Sequence, residues 1–187
     1  MTPPIRILLT IGTDMHLFAR PIAWLDRYVA DRPGLAELCV VQHGNSPAPL
    51  VAGGSAFIPY DELVRFMGEA DVVITHGGPA TIFEARGQGR VPVCVPRNPA
   101  LGEHVDGHQQ RFARYLAANG ALLLSEDEET FIAHLDAILD DPGVASVHRN
   151  AAATAAAVSA VEQIVDDLVP RRTARPRRAM TGAGARA

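Results

Sequence analysis

Asp71-Val72-Val73-Ile74-Thr75-His76-Gly77-Gly78-Pro79-Ala80-Thr81-Ile82-Phe83-Glu84-Ala85 is the stretch whose reading decides the fold. It opens on a short run rich in β-branched side chains, the pattern of a strand buried on both faces. Two glycines and a proline follow at once, then a helical run expected from about Ala80 to Arg86. Proline suits the first helical turn, where its missing N–H costs nothing. A buried strand passing through a glycine turn into a helix is half of a parallel β-α-β unit.

The same alternation repeats outward. Upstream, residues 5–11 predict a first strand ended by Gly12-Thr13, and residues 17–30 a helix with Ile22, Leu25, Tyr28 and Val29 at helical spacing. Asp31-Arg32-Pro33-Gly34 stops it, and residues 38–42 predict a second strand. Residues 43–55, rich in Gly, Pro, Asn and Ser, are expected as a loop, Ala56-Phe57-Ile58 as a short third strand, and residues 60–69 as a helix burying Leu63, Phe66 and Met67. Downstream, residues 91–95 predict a fifth strand, 105–119 a helix stopped by Gly120, and 121–124 a sixth strand. Ser125-Glu126-Asp127-Glu128 has the spacing of a capping box with Ser125 at the N-cap, opening a helix that buries Phe131, Leu135 and Ile138. A last alanine-rich helix is expected to run to about Leu168, with Val158, Val161, Val165 and Leu168 on one stripe. The fold class is therefore α/β: a Rossmann-like parallel sheet of about six strands with helices on both faces, one domain over residues 1–169.

Composition agrees. A chain of 187 residues, 48% hydrophobic and 20% charged, has room for one packed core. No apolar run approaches the roughly 20 residues that span a bilayer, and the first residues lack a signal-peptide pattern, so a cytoplasmic protein is expected. Cys39 and Cys94 lie in strand-like runs and read as buried free thiols. All 17 basic side chains are arginine; six fall in residues 170–187 with no acid beside them, while the remainder holds all 21 acids. An acidic body excludes a general nucleic-acid grip. The arginine-rich end is expected to be disordered, either solubilising or touching anionic lipid.

In an open parallel sheet ligands bind at the carboxyl ends of the strands. Four polar or glycine-rich segments are expected there: Gly12-Thr13-Asp14, Gln42-His43-Gly44, residues 75–81 and residues 97–108. The turn at His76, Gly77, Gly78, Pro79, Ala80 and Thr81 is the sharpest. The N–H groups of Ala80, Thr81 and Ile82 would face out from a positive helix end, an anion site suited to a phosphate or diphosphate. Glu84, one turn on, is placed to reach ribose hydroxyls. The plain alternative is an ordinary strand-to-helix turn with Glu84 as a solvated first-turn acid. It lacks both GxGxxG spacing and a P-loop lysine. In the second segment, Glu103, His104, Asp106 and His108 are of metal-ligand type, but no cysteine or firmer signature supports a metal, and none is expected.

Thr10-Ile11-Gly12-Thr13 with Phe18 and Arg20, then residues 70–85, then Val95-Pro96-Arg97 and Gly102-Glu103-His104-Val105-Asp106-Gly107-His108-Gln109 resemble the glycosyltransferase family 28 C-terminal domain, in order and spacing over about residues 5–124. The chain also resembles the small stand-alone subunits of bacterial exopolysaccharide transferases and the cytosolic half of the split eukaryotic enzyme that adds the second N-acetylglucosamine to a dolichol-linked sugar. The resemblance implies the nucleotide-sugar-binding half of a GT-B enzyme, with the diphosphate held by the loop at Gly78 to Thr81, the ribose by Glu84, and the donor sugar touched by Gln109 and Gln110. Gly12, Thr13, Arg97 and His108 complete the expected UDP-sugar site, and Glu103 and His104 are the candidate catalytic groups. Many relatives carry His after the Gly-Thr pair; here Asp14 stands there, with His16 two residues on, so helix capping by Thr13 or Asp14 competes with a base role.

The implied chemistry is metal-independent and cofactor-free hexosyl transfer from a UDP-sugar of the UDP-GlcNAc or UDP-Gal type. The acceptor pocket and base belong to the other GT-B half, for which 187 residues leave no room. A membrane-associated partner subunit binding a polyprenyl-linked acceptor is therefore expected, holding the protein at the inner face of the membrane. Three other readings stay open: a non-catalytic sugar-nucleotide-binding enhancer of a transferase, a soluble stand-alone transferase on a small molecule and, last, a nucleotide-sugar epimerase.

Overall fold

The structure, a computed structural model, describes residues 5–147. The expected alanine-rich helix with its Val158 to Leu168 stripe, the arginine-rich end and the boundary at residue 169 lie outside the described residues. Six strands, β1 (Ile7–Thr10), β2 (Cys39–Gln42), β3 (Gly53–Ser55), β4 (Val72–Thr75), β5 (Val93–Cys94) and β6 (Leu123–Leu124), form one sheet in the order β3-β2-β1-β4-β5-β6. Every pairing is parallel. Helices α1 (Arg20–Ala30), α2 (Pro33–Ala36), α3 (Tyr60–Glu69), α4 (Pro79–Gly87) and α5 (His108–Ala118) lie between the strands, and α6 (Glu128–Asp140) follows β6. This is the doubly wound order of a Rossmann-like fold. Its direction reverses between β1 and β4, so the loops leaving those two strands border the crevice where such sheets take ligands.

The strands alternate between two cores. Ile7 and Leu9 of β1 and Val72 and Ile74 of β4 join Ile22, Leu25 and Val29 of α1 and Phe131, Leu135 and Ile138 of α6. Leu8 and Val73 face the other way, onto Met67 of α3 and Ala85 of α4. A third cluster, Ile82, Cys94, Ala113, Leu116 and Leu122, seats α4 and α5 against β5. Full burial of a side chain such as Phe131 contributes about 1.5–3 kcal/mol. Met67 is fully buried as expected, whereas Leu63 and Phe66 are only partly covered.

Three local expectations are corrected. The third strand is Gly53–Ser55 rather than residues 56–58, because Gly53 and Gly54 pair with Val40 and Val41 at the sheet edge. Helix α1 begins at Arg20, three residues later than expected, with Pro21 in its first turn and no side-chain cap. Thr13 and Asp14 therefore cap no helix. The N-cap of α6 is Asp127, whose Oδ1 accepts from the Thr130 N–H at 2.8 Å. Ser125 is engaged elsewhere. Its N–H extends the sheet to the Cys94 carbonyl at 2.9 Å, and its Oγ lies 3.0 Å from His134 Nδ1. Asp127→Ala should lower the midpoint of urea denaturation. An unchanged midpoint would contradict the assignment of the cap.

Candidate functional site

The loops at the carboxyl edge are locked together by contacts that begin in β1 and β4. Gly12 has φ +73° and Gly44 φ +53°. A Cβ on Gly44 would strike the Gly12 carbonyl oxygen, so the loops after β1 and β2 touch. His76, the first residue after β4, lays its ring between Gly12 and Gly78. A Cβ on Gly12 would stand 2.8 Å from its Cε1, and one on Gly78 would overlap its Nε2. The Gly77 N–H donates to Gln109 Oε1 at 3.1 Å, which also accepts from the Arg97 N–H at 3.3 Å, tying the loop after β4 to the head of α5. All four expected segments thus meet.

Arg97 is the hub, 1% exposed. Its Nη1 donates to the carbonyls of His16 at 2.7 Å and Glu103 at 3.1 Å, and its Nη2 to that of Ile11 at 3.1 Å. The guanidinium stacks 4.7 Å from the Phe18 ring centroid, and Asp14 Oδ1 lies 3.9 Å from Nη1. Burial pulls its affinity for the proton down, while Asp14 and Glu103 push it up. Arg97, expected in the UDP-sugar site, has both terminal nitrogens on backbone carbonyls.

Glu103, expected as a catalytic carboxylate, is similarly engaged. It is buried, takes a fork from Arg20 (Nε to Oε1 at 2.9 Å, Nη2 to Oε2 at 2.8 Å) and accepts the Asn98 N–H at 2.8 Å. A bidentate pair of this kind fixes geometry. Its role here is to hold the loop before α5.

Three of the chain's seven histidines, His16, His104 and His108, form a row on this edge. The His16 ring stacks on His104 with centroids 5.6 Å apart, and His104 meets His108 edge-on at 4.7 Å. Asp14 Oδ1 accepts from the His16 N–H at 2.8 Å and lies 2.7 Å from His16 Nδ1; that backbone bond above all keeps the Asp14 carboxyl below its usual range. His108 Nδ1 pairs with Asp106 Oδ1, which also caps the His108 N–H at 2.9 Å. Gln110 is half-buried beside them.

Burial pushes His76 down to about 4, with the Arg97 charge acting in the same direction. His76 is therefore neutral when folded and takes a proton near its ordinary 6.5 when unfolded. The unfolded state binds more protons, so stability falls as pH drops below about 6.5 and the loss is complete near 4. At pH 5 the loss should be about 2 kcal/mol relative to pH 7.5, as read by urea denaturation. His76→Asn should flatten that slope; an equal slope in the variant would assign the effect elsewhere, His134 being the next candidate.

Helix α4 starts at Pro79 with Gly78 as an extended N-cap and no side-chain cap. Among the described residues nothing accepts the Ala80 or Thr81 N–H; the Ile82 N–H, expected to be free, instead donates to the Gly78 carbonyl at 3.3 Å. Glu84, one turn on, accepts from the Tyr60 hydroxyl at 2.8 Å through Oε2. Sequence reading misses Tyr60 and also the buried Ser46, whose Oγ accepts the Phe18 N–H at 2.7 Å; Gln42, in one of the four expected segments, is buried and accepts the Ile58 N–H at 3.0 Å through Oε1.

Two amides without an acceptor among the described residues stand at the positive end of a helix, after a glycine turn at the switch point, and comparison with known proteins names the class. Residues 45–168 match the model of the glycosyltransferase family 28 C-terminal domain. The chain belongs to this family. Among its relatives, a UDP-N-acetylglucosamine–N-acetylmuramyl-(pentapeptide) pyrophosphoryl-undecaprenol N-acetylglucosamine transferase of Desulforudis audaxviator is 29% identical over 138 residues, covering 71% of this chain and 36% of that one. The enzyme of the same name from Xanthomonas axonopodis pv. citri is 38% identical over 101 residues, 52% of this chain and 23% of its own. This family 28 chain thus spans about a third or less of the length of those curated relatives. Among solved structures, Acinetobacter baumannii MurG aligns with a TM-score of 0.47 at 25% identity over 78% of this chain and 44% of MurG. The glycosyltransferase SnogD from Streptomyces nogalater aligns with a TM-score of 0.47 at 20% identity over 86% and 44%.

Proposed function

We propose that this family 28 domain binds a UDP-hexose and supports transfer of the sugar to a polyprenyl-linked acceptor. The observation that carries the reading is the uncapped pair of amides at Ala80 and Thr81. In hexosyl transfer the bond between the anomeric carbon and the β-phosphate oxygen breaks, and its electron pair leaves with the diphosphate. Preorganised N–H groups at a helix N-terminus stabilise that charge without a metal ion. In this reading Glu84 takes the ribose hydroxyls, oriented by Tyr60; Gly12, Thr13, His76, Gly77, Gly78 and Pro79 shape the seat; and His108, Gln109 and Gln110 border the sugar. The base that deprotonates the acceptor hydroxyl comes from the acceptor side, since Glu103 is bound to Arg20 and His104 lies in a row of rings.

The relatives' names supply UDP-N-acetylglucosamine as the first donor to test and a pyrophosphoryl-undecaprenol lipid as the first acceptor. The acceptor-binding unit is a membrane-associated partner in this proposal, which keeps the domain at the inner face of the membrane. One observation supports it: Met15, Leu17, Leu101 and Val105 are exposed on the loops bordering the site. Assays with exopolysaccharide-type and muramyl-type lipid acceptors separate the two glycan classes.

Calorimetry with UDP, UDP-N-acetylglucosamine and UDP-galactose tests the donor. Glu84→Ala should weaken UDP-sugar binding about 10-fold, the worth of a hydrogen bond to a charged group, and Tyr60→Phe by a smaller factor. No UDP-sugar binding by the wild-type chain would refute the reading. Transfer by the reconstituted pair that survives Glu84→Ala unchanged would favour a non-catalytic enhancer.

A further inference from the structure

We propose that His104, Asp106 and His108 form a binding site for a borderline transition-metal dication of the zinc class. One nitrogen from each histidine and one carboxylate oxygen of Asp106 lie within 4.8 Å of one another. Around tetrahedral zinc, ligand atoms stand roughly 3.4 Å apart, so closure needs only about 1.4 Å of movement. Asp106 and His108 have exposed side chains, and a bound ion would take the place of the hydrogen bond between His108 Nδ1 and Asp106 Oδ1.

A second observation comes from His104 itself. Its Nδ1 is buried and has no hydrogen-bond partner among the described residues, while its Nε2 is 4.0 Å from Asp14 Oδ2. A buried imidazole nitrogen left without a partner needs an ion or a water to satisfy it. The Asp14 carboxylate faces the other nitrogen at more than hydrogen-bond distance, where its negative charge favours a cation nearby. Asp14 is in turn fixed by His16. Two imidazoles and one carboxylate favour zinc-like ions over Mg²⁺ or Ca²⁺, which take oxygen ligands. Three protein ligands leave a fourth position open. The ion would clamp the loop before α5 to the head of that helix, outside the chemistry assigned to the α4 amides.

The test is independent of the donor reading. Full-length protein, dialysed against chelator, is titrated with ZnCl₂ by calorimetry and with Co²⁺ by visible absorption. One site per chain is expected, with no comparable Mg²⁺ binding. Asp106→Ala and His108→Ala should each weaken Zn²⁺ binding about 10-fold or more, and the double variant should abolish it. Both side chains are exposed, so circular dichroism should be unchanged in the variants. The proposal is overturned if the wild-type chain binds no Zn²⁺, if both single variants bind it as tightly as wild type, or if Mg²⁺ binds equally well.

Discussion

Arg97→Ala should lower the unfolding free energy by about 3–5 kcal/mol, the range for breaking a buried charged network by removing one partner. The substitution leaves the carbonyls of Ile11, His16 and Glu103 without their donor, and the Phe18 ring without the cation on its face. It also deprives Asp14 of a nearby positive charge. Arg97→Lys should recover only part of the loss, because an ammonium on a single stem cannot reproduce a planar fork aimed at three carbonyls. Urea denaturation followed by circular dichroism measures both variants. A loss under about 1 kcal/mol together with abolished UDP-sugar binding would assign Arg97 to the UDP-sugar itself and refute its role as the hub of the loops.

Gly78→Ala should have the largest effect on donor binding. Its Cβ would overlap the His76 ring, which cannot retreat because Gly12 stands against its other side. Relief must come from the turn itself, moving the two amides that follow. Hydrogen bonds to charged groups are worth about 1.5–3 kcal/mol, so disturbing both amides should weaken UDP-sugar affinity by roughly 100-fold. Overpacking should cost a further 1–3 kcal/mol or so of stability. Thermal melting and calorimetry separate the two losses. Gly68→Ala in α3, where a Cβ would stand an ordinary 3.8 Å from Gln88 Oε1, is the control. Wild-type affinity in Gly78→Ala would remove the α4 amides from the site.

Most of the sheet is legible in the sequence because its central strands are apolar runs bounded by turn residues, a pattern that burial on both faces imposes. β3 is not, because Gly53-Gly54-Ser55 carries no apolar side chain; only pairing with Val40–Gln42 makes it a strand. The cap of α6 is ambiguous in sequence because Ser125 and Asp127 are both capping types. The Ser125 N–H, committed to the sheet, decides between them. At the site, the glycine turn and the bare Ala80 and Thr81 amides follow from local chain chemistry. The burial of Arg97 and Glu103 does not, since a charged residue near an expected anion seat reads as a ligand until its partners 83 or 86 residues away are known. Tyr60 is invisible for the same reason: its hydroxyl finds Glu84 across 24 residues.

The border of the sheet at β3 has a bearing on solubility. It is three residues long, two of them glycine, and a Cβ on Gly54 would run into the Pro49 ring. So brief a margin, flanked by proline, offers a neighbouring molecule few amides in register and no side-chain ladder to zip onto. Concentrated solutions of the protein should accordingly resist growth into cross-β ribbons from this flank.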